Sequence, residues 1–193
     1  MVPVHVHTTI AAPREEVFEF IADLANRSAW MDHCTSDLRL AHPKSTGVGA
    51  AMRYRLQAPR YKPWVESQIA EAHPPRRIVE HTRGGRYNRT RGEVVFDLSR
   101  SGRGLTRVEL TIWSDGGTAR ERFLEKLGAR RWVRRQSKVA LERLRAVFEE
   151  RPDEPLARTG VAGWEPQKAP RFGLGIAGQP DVHTGSGERA SSG

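Results

Sequence analysis

The chain has 193 residues, 37% apolar and 28% charged, with 32 Lys and Arg against 23 Asp and Glu. That length and composition predict one globular domain with an appendage, and enough apolar material for one sizeable core. No run approaches the roughly 18 apolar residues of a membrane span, the start MVPVHVHTTI lacks the regions of a secretion signal, and the single cysteine, Cys34, excludes an intrachain disulfide or a cysteine-built metal cluster. A cytoplasmic protein is expected.

The net charge of +9 is unevenly placed: −2 over residues 1–50, +6 over 51–100, +5 over 101–150 and 0 beyond. The basic surplus therefore belongs to the middle strands and the long helix that comes after them. Such a field attracts nucleic acid, anionic lipid or an acidic small molecule, and it is equally the field of a solvated, Arg-rich surface.

Val2 to Ile10 alternates Val4, Val6 and Thr8 against His5, His7 and Thr9, the period of a strand with one buried face. His5 and His7 fall on one side, but no third ligand candidate accompanies them to complete a metal site. Pro13 stands at the start of a helix of about three turns, with Glu15 and Glu16 where the helix dipole favours acids and Val17, Phe18, Ile21 and Leu24 at helical spacing. A second short helical piece, Ala25 to Met31, carries Trp30 toward the core. The pattern then changes to period two. Thr35 to Ala41, Ala50 to Gln57, Trp64 to Ala72, Arg77 to Arg83, Asn88 to Ser99 and Leu105 to Ser114 read as strands, punctuated by Gly47 and Gly49, Pro74 and Pro75, Gly84 and Gly85, and the turn at Ser101 to Gly104. Gly47-Val48-Gly49 has neither the third glycine of a dinucleotide fingerprint nor the Gly-Lys-Ser/Thr of a P-loop, and a strand comes after it.

Gly116 and Gly117 end the strands and release the chain into a helix expected over Thr118 to Glu150, roughly 45 Å long at about 1.5 Å per residue. Its apolar residues form two arcs at about 100° per residue: Phe123 and Leu127 centre one, and Val133, Ala140, Leu141, Leu144 and Val147 the other, with Gly128 between them. From Arg151 to Gly193, Pro, Gly and Ser accumulate and apolar periodicity ends, as in a disordered tail.

Three stretches carry a resemblance to a known superfamily. They are Ala12-Pro13-Arg14-Glu15-Glu16-Val17-Phe18 with Asp23 and Trp30, the hairpin Glu71-Ala72-His73-Pro74-Pro75-Arg76-Arg77-Ile78-Val79, and the glycines before the final helix. Over about residues 2 to 148 the chain resembles the START-like, or SRPBCC, superfamily, in particular its bacterial polyketide cyclase/dehydrase and lipid-transport-like group. The resemblance implies an α+β helix-grip fold, in which a curved antiparallel sheet of about seven strands wraps a long C-terminal helix, with two short helices between the first strands and an apolar cavity under the grip.

Placed in that fold, Met52, Tyr54, Leu56, Ile69, Phe96, Leu110, Phe123 and Leu127 are the inward residues expected to line the cavity. Tyr54 stands out, because a phenol in an apolar interior needs a partner and can orient a ligand carbonyl or hydroxyl. Arg130, near the seam of the two helical arcs, is expected either to reach the cavity, where it pairs with an inward acid or an anionic ligand, or to extend to the rim. Glu66, Glu80, His33 and His81 are candidate acids and bases, though none forms a recognisable pair by spacing. No nucleophile elbow, H-E-x-x-H helix or zinc-ligand spacing occurs, and no metal or cofactor is called for.

Three functions are compatible with these residues. The leading one is a carrier or sensor for a hydrophobic small molecule: a lipid, an isoprenoid or a polyketide-like compound. A second is a cofactor-independent polyketide cyclase or dehydratase, its catalytic residues not identifiable by motif. The third is a module for RNA or an anionic membrane, using Arg130, Arg131, Arg134, Arg135 and Lys138, which Glu121, Glu125 and Glu142 dilute and no RNA-binding signature accompanies. The oligomeric state stays open.

Overall fold

A computed structural model of the chain describes residues 2–59, 61–85, 88–115, 128–150 and 159–161. The first strand, β1 (Val4–Ile10), buries Val4, Val6 and Ile10 and turns both histidines outward. Helix α1 (Arg14–Ala22) starts on Pro13, whose extended ψ of 141° and fixed φ suit a helix entry, and it buries Val17, Phe18, Ile21 and Ala22. The Asp23 carboxylate then accepts from the Ala25 N–H at 3.0 Å and caps a single 3₁₀ turn, Leu24–Asn26. A further turn, α2 (Ser28–Met31), sets Trp30 into the core with 1% of its surface exposed.

Strands β2 (Thr35–Leu40), β3 (Ala51–Leu56), β4 (Trp64–His73), β5 (Arg77–Gly84), β6 (Thr90–Gly102) and β7 (Leu105–Asp115) succeed one another as antiparallel neighbours, and β7 pairs back onto β1. Register puts the apolar phase of each strand on one face: Tyr54 is opposite Val65, Ile78 opposite Phe96, Phe96 opposite Leu110, and Leu110 opposite Val6. The ladder shifts between Ser36 and Arg39 in β2, between Ile69 and Glu71 in β4, and between Arg100 and Gly102 in β6. Bulges of this kind bend a strand and increase its twist, which curls the sheet. Gly92 permits a close approach in β6: a Cβ there would lie 2.6 Å from the Trp113 carbonyl oxygen and 2.7 Å from the Thr82 hydroxyl.

Helix α3 (Arg130–Glu149) closes the concave face, burying Ser137, Ala140, Leu141 and Leu144 and packing on β1 and α2. Phe148 meets Phe20 edge-to-face at 5.3 Å. Gly128, with φ at 105°, and Ala129 form a π-helical turn that leads into the α-helix at Arg130. The expected residues Thr118 to Leu127 lie outside the described residues. Within the expected tail, Gly160–Val161 forms a short strand, β8, parallel to the sheet edge at β2, and the Thr159 N–H donates to the Ala25 carbonyl at 2.7 Å. Among the described residues the sheet has eight strands, the seven expected and β8 at its edge. Among the described residues no helix is long and apolar enough to cross a membrane.

Candidate functional site

Between the concave face and α3 lies a cavity of about 300 Å³. Met52 and Leu56 from β3, Val65 from β4, Val94 and Phe96 from β6, Leu110 and Ile112 from β7, and Val133 and Ala140 from α3 form apolar walls. Strand alternation supplies them, since each occupies the inward phase of its strand or the inner stripe of its helix.

One wall is polar. Arg27, between the 3₁₀ turn and α2, and Glu80, at an inward position of β5, form an ion pair with 2% and 1% of their surfaces exposed. The second Glu80 oxygen accepts from the Ser67 hydroxyl at 2.7 Å. The Arg27 guanidinium lies 4.8 Å from the Trp30 ring centre and 5.3 Å from that of Phe96, and these two rings meet edge-to-face. A planar cation against two aromatic faces gains cation–π attraction where water is excluded. Arg27 Nε and Trp30 Nε1 are buried without a hydrogen-bond partner among the described residues, and both side chains line the cavity.

Tyr54 lines the cavity beside this pair. Burial pushes its phenol well above the usual tyrosine value, and the Glu80 carboxylate adds to the rise while Arg27 opposes it. The hydroxyl is therefore a neutral hydrogen-bond donor at physiological pH. Cys34 also lines the cavity; burial first and Asp32 second push its thiol up to about 11, so it is a protonated, unreactive group.

Met52, Tyr54, Leu56, Phe96 and Leu110 thus lie where the strand periods place them, on the cavity wall. Ile69 does not line it; with 1% exposed it is packed into the core beyond the cavity. Phe123 and Leu127 lie outside the described residues. Arg130 is exposed and does not line the cavity, which corrects the expectation that it reaches inward. The buried guanidinium on the cavity wall is that of Arg27. Of the candidate acids and bases, Glu80 alone is in the cavity. Glu66 is exposed, His81 faces Glu93 on the outer surface, and His33 Nε2 lies 3.2 Å from the Gln136 carbonyl of α3. Arg27 carries no periodic signal in the sequence. Glu80 does: Ile78, Glu80 and Thr82 share the inward phase of β5, and a carboxylate in that phase requires a buried partner.

A bent antiparallel sheet closed by a C-terminal helix over an apolar chamber with one buried ion pair is a helix-grip protein with an internal cavity. Residues 1–149 match the family model described as "Polyketide cyclase / dehydrase and lipid transport", and the chain belongs to that family. Solved structures agree on the fold. The Zhui aromatase/cyclase from Streptomyces sp. R1128 superposes with a TM-score of 0.59 at 16% identity, covering 77% of this chain and 94% of that one. A START superfamily protein from Mycobacterium smegmatis gives a TM-score of 0.56 at 11% identity, covering 78% and 99%. The major latex-like protein 151 of Panax ginseng gives 0.56 at 8%, covering 76% and 96%. No curated protein matches the chain in sequence.

Proposed function

We propose that the chain binds a hydrophobic small molecule in the cavity between sheet and helix and acts in the cytoplasm as its carrier or sensor. The observation that carries this reading is the chamber itself: about 300 Å³ walled mainly by aliphatic and aromatic side chains, with a few buried polar groups among them. Ligand pockets are commonly apolar with a few placed polar groups that fix orientation. Here those groups are the Tyr54 hydroxyl and the Arg27–Glu80 pair. The pair is neutral as a unit, and a second carboxylate beside Glu80 would be repelled at low dielectric. The ligand class favoured is therefore an uncharged lipid, isoprenoid or polyketide-like molecule whose oxygen accepts from Tyr54. Residues 151–158 and those beyond Val161 are proposed to be a tail outside this function.

Native mass spectrometry of the purified protein, with organic extraction, tests the reading. An apolar adduct is expected, and Ala140→Trp, which fills the chamber from α3, should abolish it while the fold is kept. A protein that takes up no apolar ligand across lipid, isoprenoid and polyketide classes would defeat it.

A second reading, a cyclase or dehydratase, is favoured by one specific observation: an acid, a cation and a neutral phenol meet in one apolar chamber. Tyr54 would hold a substrate carbonyl, the Glu80 carboxylate would take a proton from the adjacent carbon, and Arg27 would stabilise the enolate oxygen. Tyr54→Phe should then lower turnover about tenfold or more with binding largely kept; in a carrier the same change weakens binding alone.

A further inference from the structure

The end of the fold where the cavity opens carries a surface that ligand burial does not require. Register brings the end of β3 to the start of β4, the end of β5 to the start of β6, and the start of β6 to the end of β7, and the first turns of α3 line the same cavity. Tyr61 and Trp113 stand on its lining with 37% and 43% of their surfaces exposed, and Trp132 of α3 joins them half-buried. Near these rings in the chain or across the ladder, Lys62, Arg83, Arg91, Arg130, Arg131 and Arg134 are exposed, with Asp115 the exposed acid opposite Arg91.

The placement of the cations in α3 is electrically unfavourable for the helix. Arginines crowd its positive end and Glu149 and Glu150 its negative end, the reverse of what the macrodipole favours. In the far half of the helix Arg143 pairs with Asp32 at 2.8 Å and Arg145 with Glu149 at 3.1 Å. Among the described residues no carboxylate pairs with Arg130, Arg131 or Arg134. Exposed cations set against the dipole, with exposed indole and phenol rings at the mouth of an apolar chamber, fit a partner that is both anionic and oily.

We propose that this rim docks on an anionic phospholipid bilayer, with Tyr61, Trp113 and Trp132 at the headgroup level and the arginines on lipid phosphates, so that the cavity opens onto the membrane. Tryptophan and tyrosine prefer that interface because they combine an apolar body with a polar edge. Nucleic acid would satisfy the charge but would leave the apolar mouth facing a polyanion. Docking rests on the rim alone; exchange of a ligand between bilayer and chamber rests on the binding function proposed above.

Co-sedimentation of the full chain with vesicles tests the proposal. Partition into phosphatidylcholine vesicles containing phosphatidylglycerol is expected, well above that into phosphatidylcholine alone, and declining as salt is raised. At about fivefold per basic residue near the surface, Arg131→Gln with Arg134→Gln should weaken partition about 25-fold. Trp113→Ser should weaken it at every salt concentration. Ala140→Trp should dock like the parent, which separates docking from ligand uptake: uptake of an apolar dye that Ala140→Trp leaves unchanged would remove the binding function while docking stood. Absent vesicle binding, equal binding to neutral and anionic vesicles, or indifference to the paired glutamines would overturn the proposal. So would capture of an RNA oligonucleotide with vesicles left unbound, which would reassign the rim to nucleic acid.

Discussion

The buried Arg27 guanidinium has a carboxylate and two aromatic faces around it, and its partner Glu80 also has the Ser67 hydroxyl. Removing one member of the pair leaves the other charge buried and uncompensated, at a cost of about 3–5 kcal/mol. Urea denaturation of Glu80→Gln or Arg27→Met should show a loss of that size, whereas Arg27→Met combined with Glu80→Leu should recover much of it. Cys34 gives a second prediction. Its thiol, ordinarily near 9.0, is raised to about 11. Below pH 9 both folded and unfolded chains hold the proton and this contribution is complete. Between about 9 and 11 the unfolded chain loses its proton first, so stability falls as pH rises through that window. Tyr54, raised from an ordinary value of 10.0, deepens the fall from about pH 10 upward. Denaturation midpoints measured across pH 8 to 11, with Cys34→Ala for comparison, check the sign and the share of the thiol. The ion pair was half legible in the sequence: Glu80 breaks the apolar phase of its strand, but Arg27 is 53 residues away, in a short polar turn, and only the folded chain joins them.

At the scale of elements, alternation located the strands because one face is core and the other solvent. Met52 and Tyr54 against Arg53 and Arg55 is the plainest case, and β3 ends within a residue of each expected bound. Places where the ladder shifts were not legible, since a bulge such as that between Ile69 and Glu71 changes pairing without changing composition. The short strand at Gly160–Val161 was invisible for another reason. Its order comes from pairing with β2 and from the Thr159 bond to Ala25, and neither leaves a local pattern. Gly92 is where an element-level prediction is sharpest. Alanine there drives a methyl group into the Trp113 carbonyl and the Thr82 hydroxyl, so the β6–β7 ladder must part locally. Gly92→Ala should lower stability by about 1–3 kcal/mol, and hydrogen exchange should quicken first at residues 90–94 and 111–115.

For the whole molecule, the order of elements and the apolar faces defined the grip, and the cavity exists because one helix cannot fill a concave sheet. Which arginine faces inward was not legible. Helical angles alone put Arg130 near the seam of two apolar arcs, but the π-helical turn at Gly128 and Ala129 departs from the 100° period on which those angles rest, and the side chain ends in solvent.

Helix α3 also carries four arginines, Arg130, Arg131, Arg134 and Arg135, in its opening turns, where its own field repels them. Stability and adhesion are consequently opposed at these positions. Arg130→Glu with Arg131→Glu should melt at a higher temperature than the parent, by about 0.3–1 kcal/mol per site, while losing any hold on acidic surfaces. A homologue tuned for heat would drift toward acids there, whereas one that must cling to a charged partner would keep its weaker scaffold.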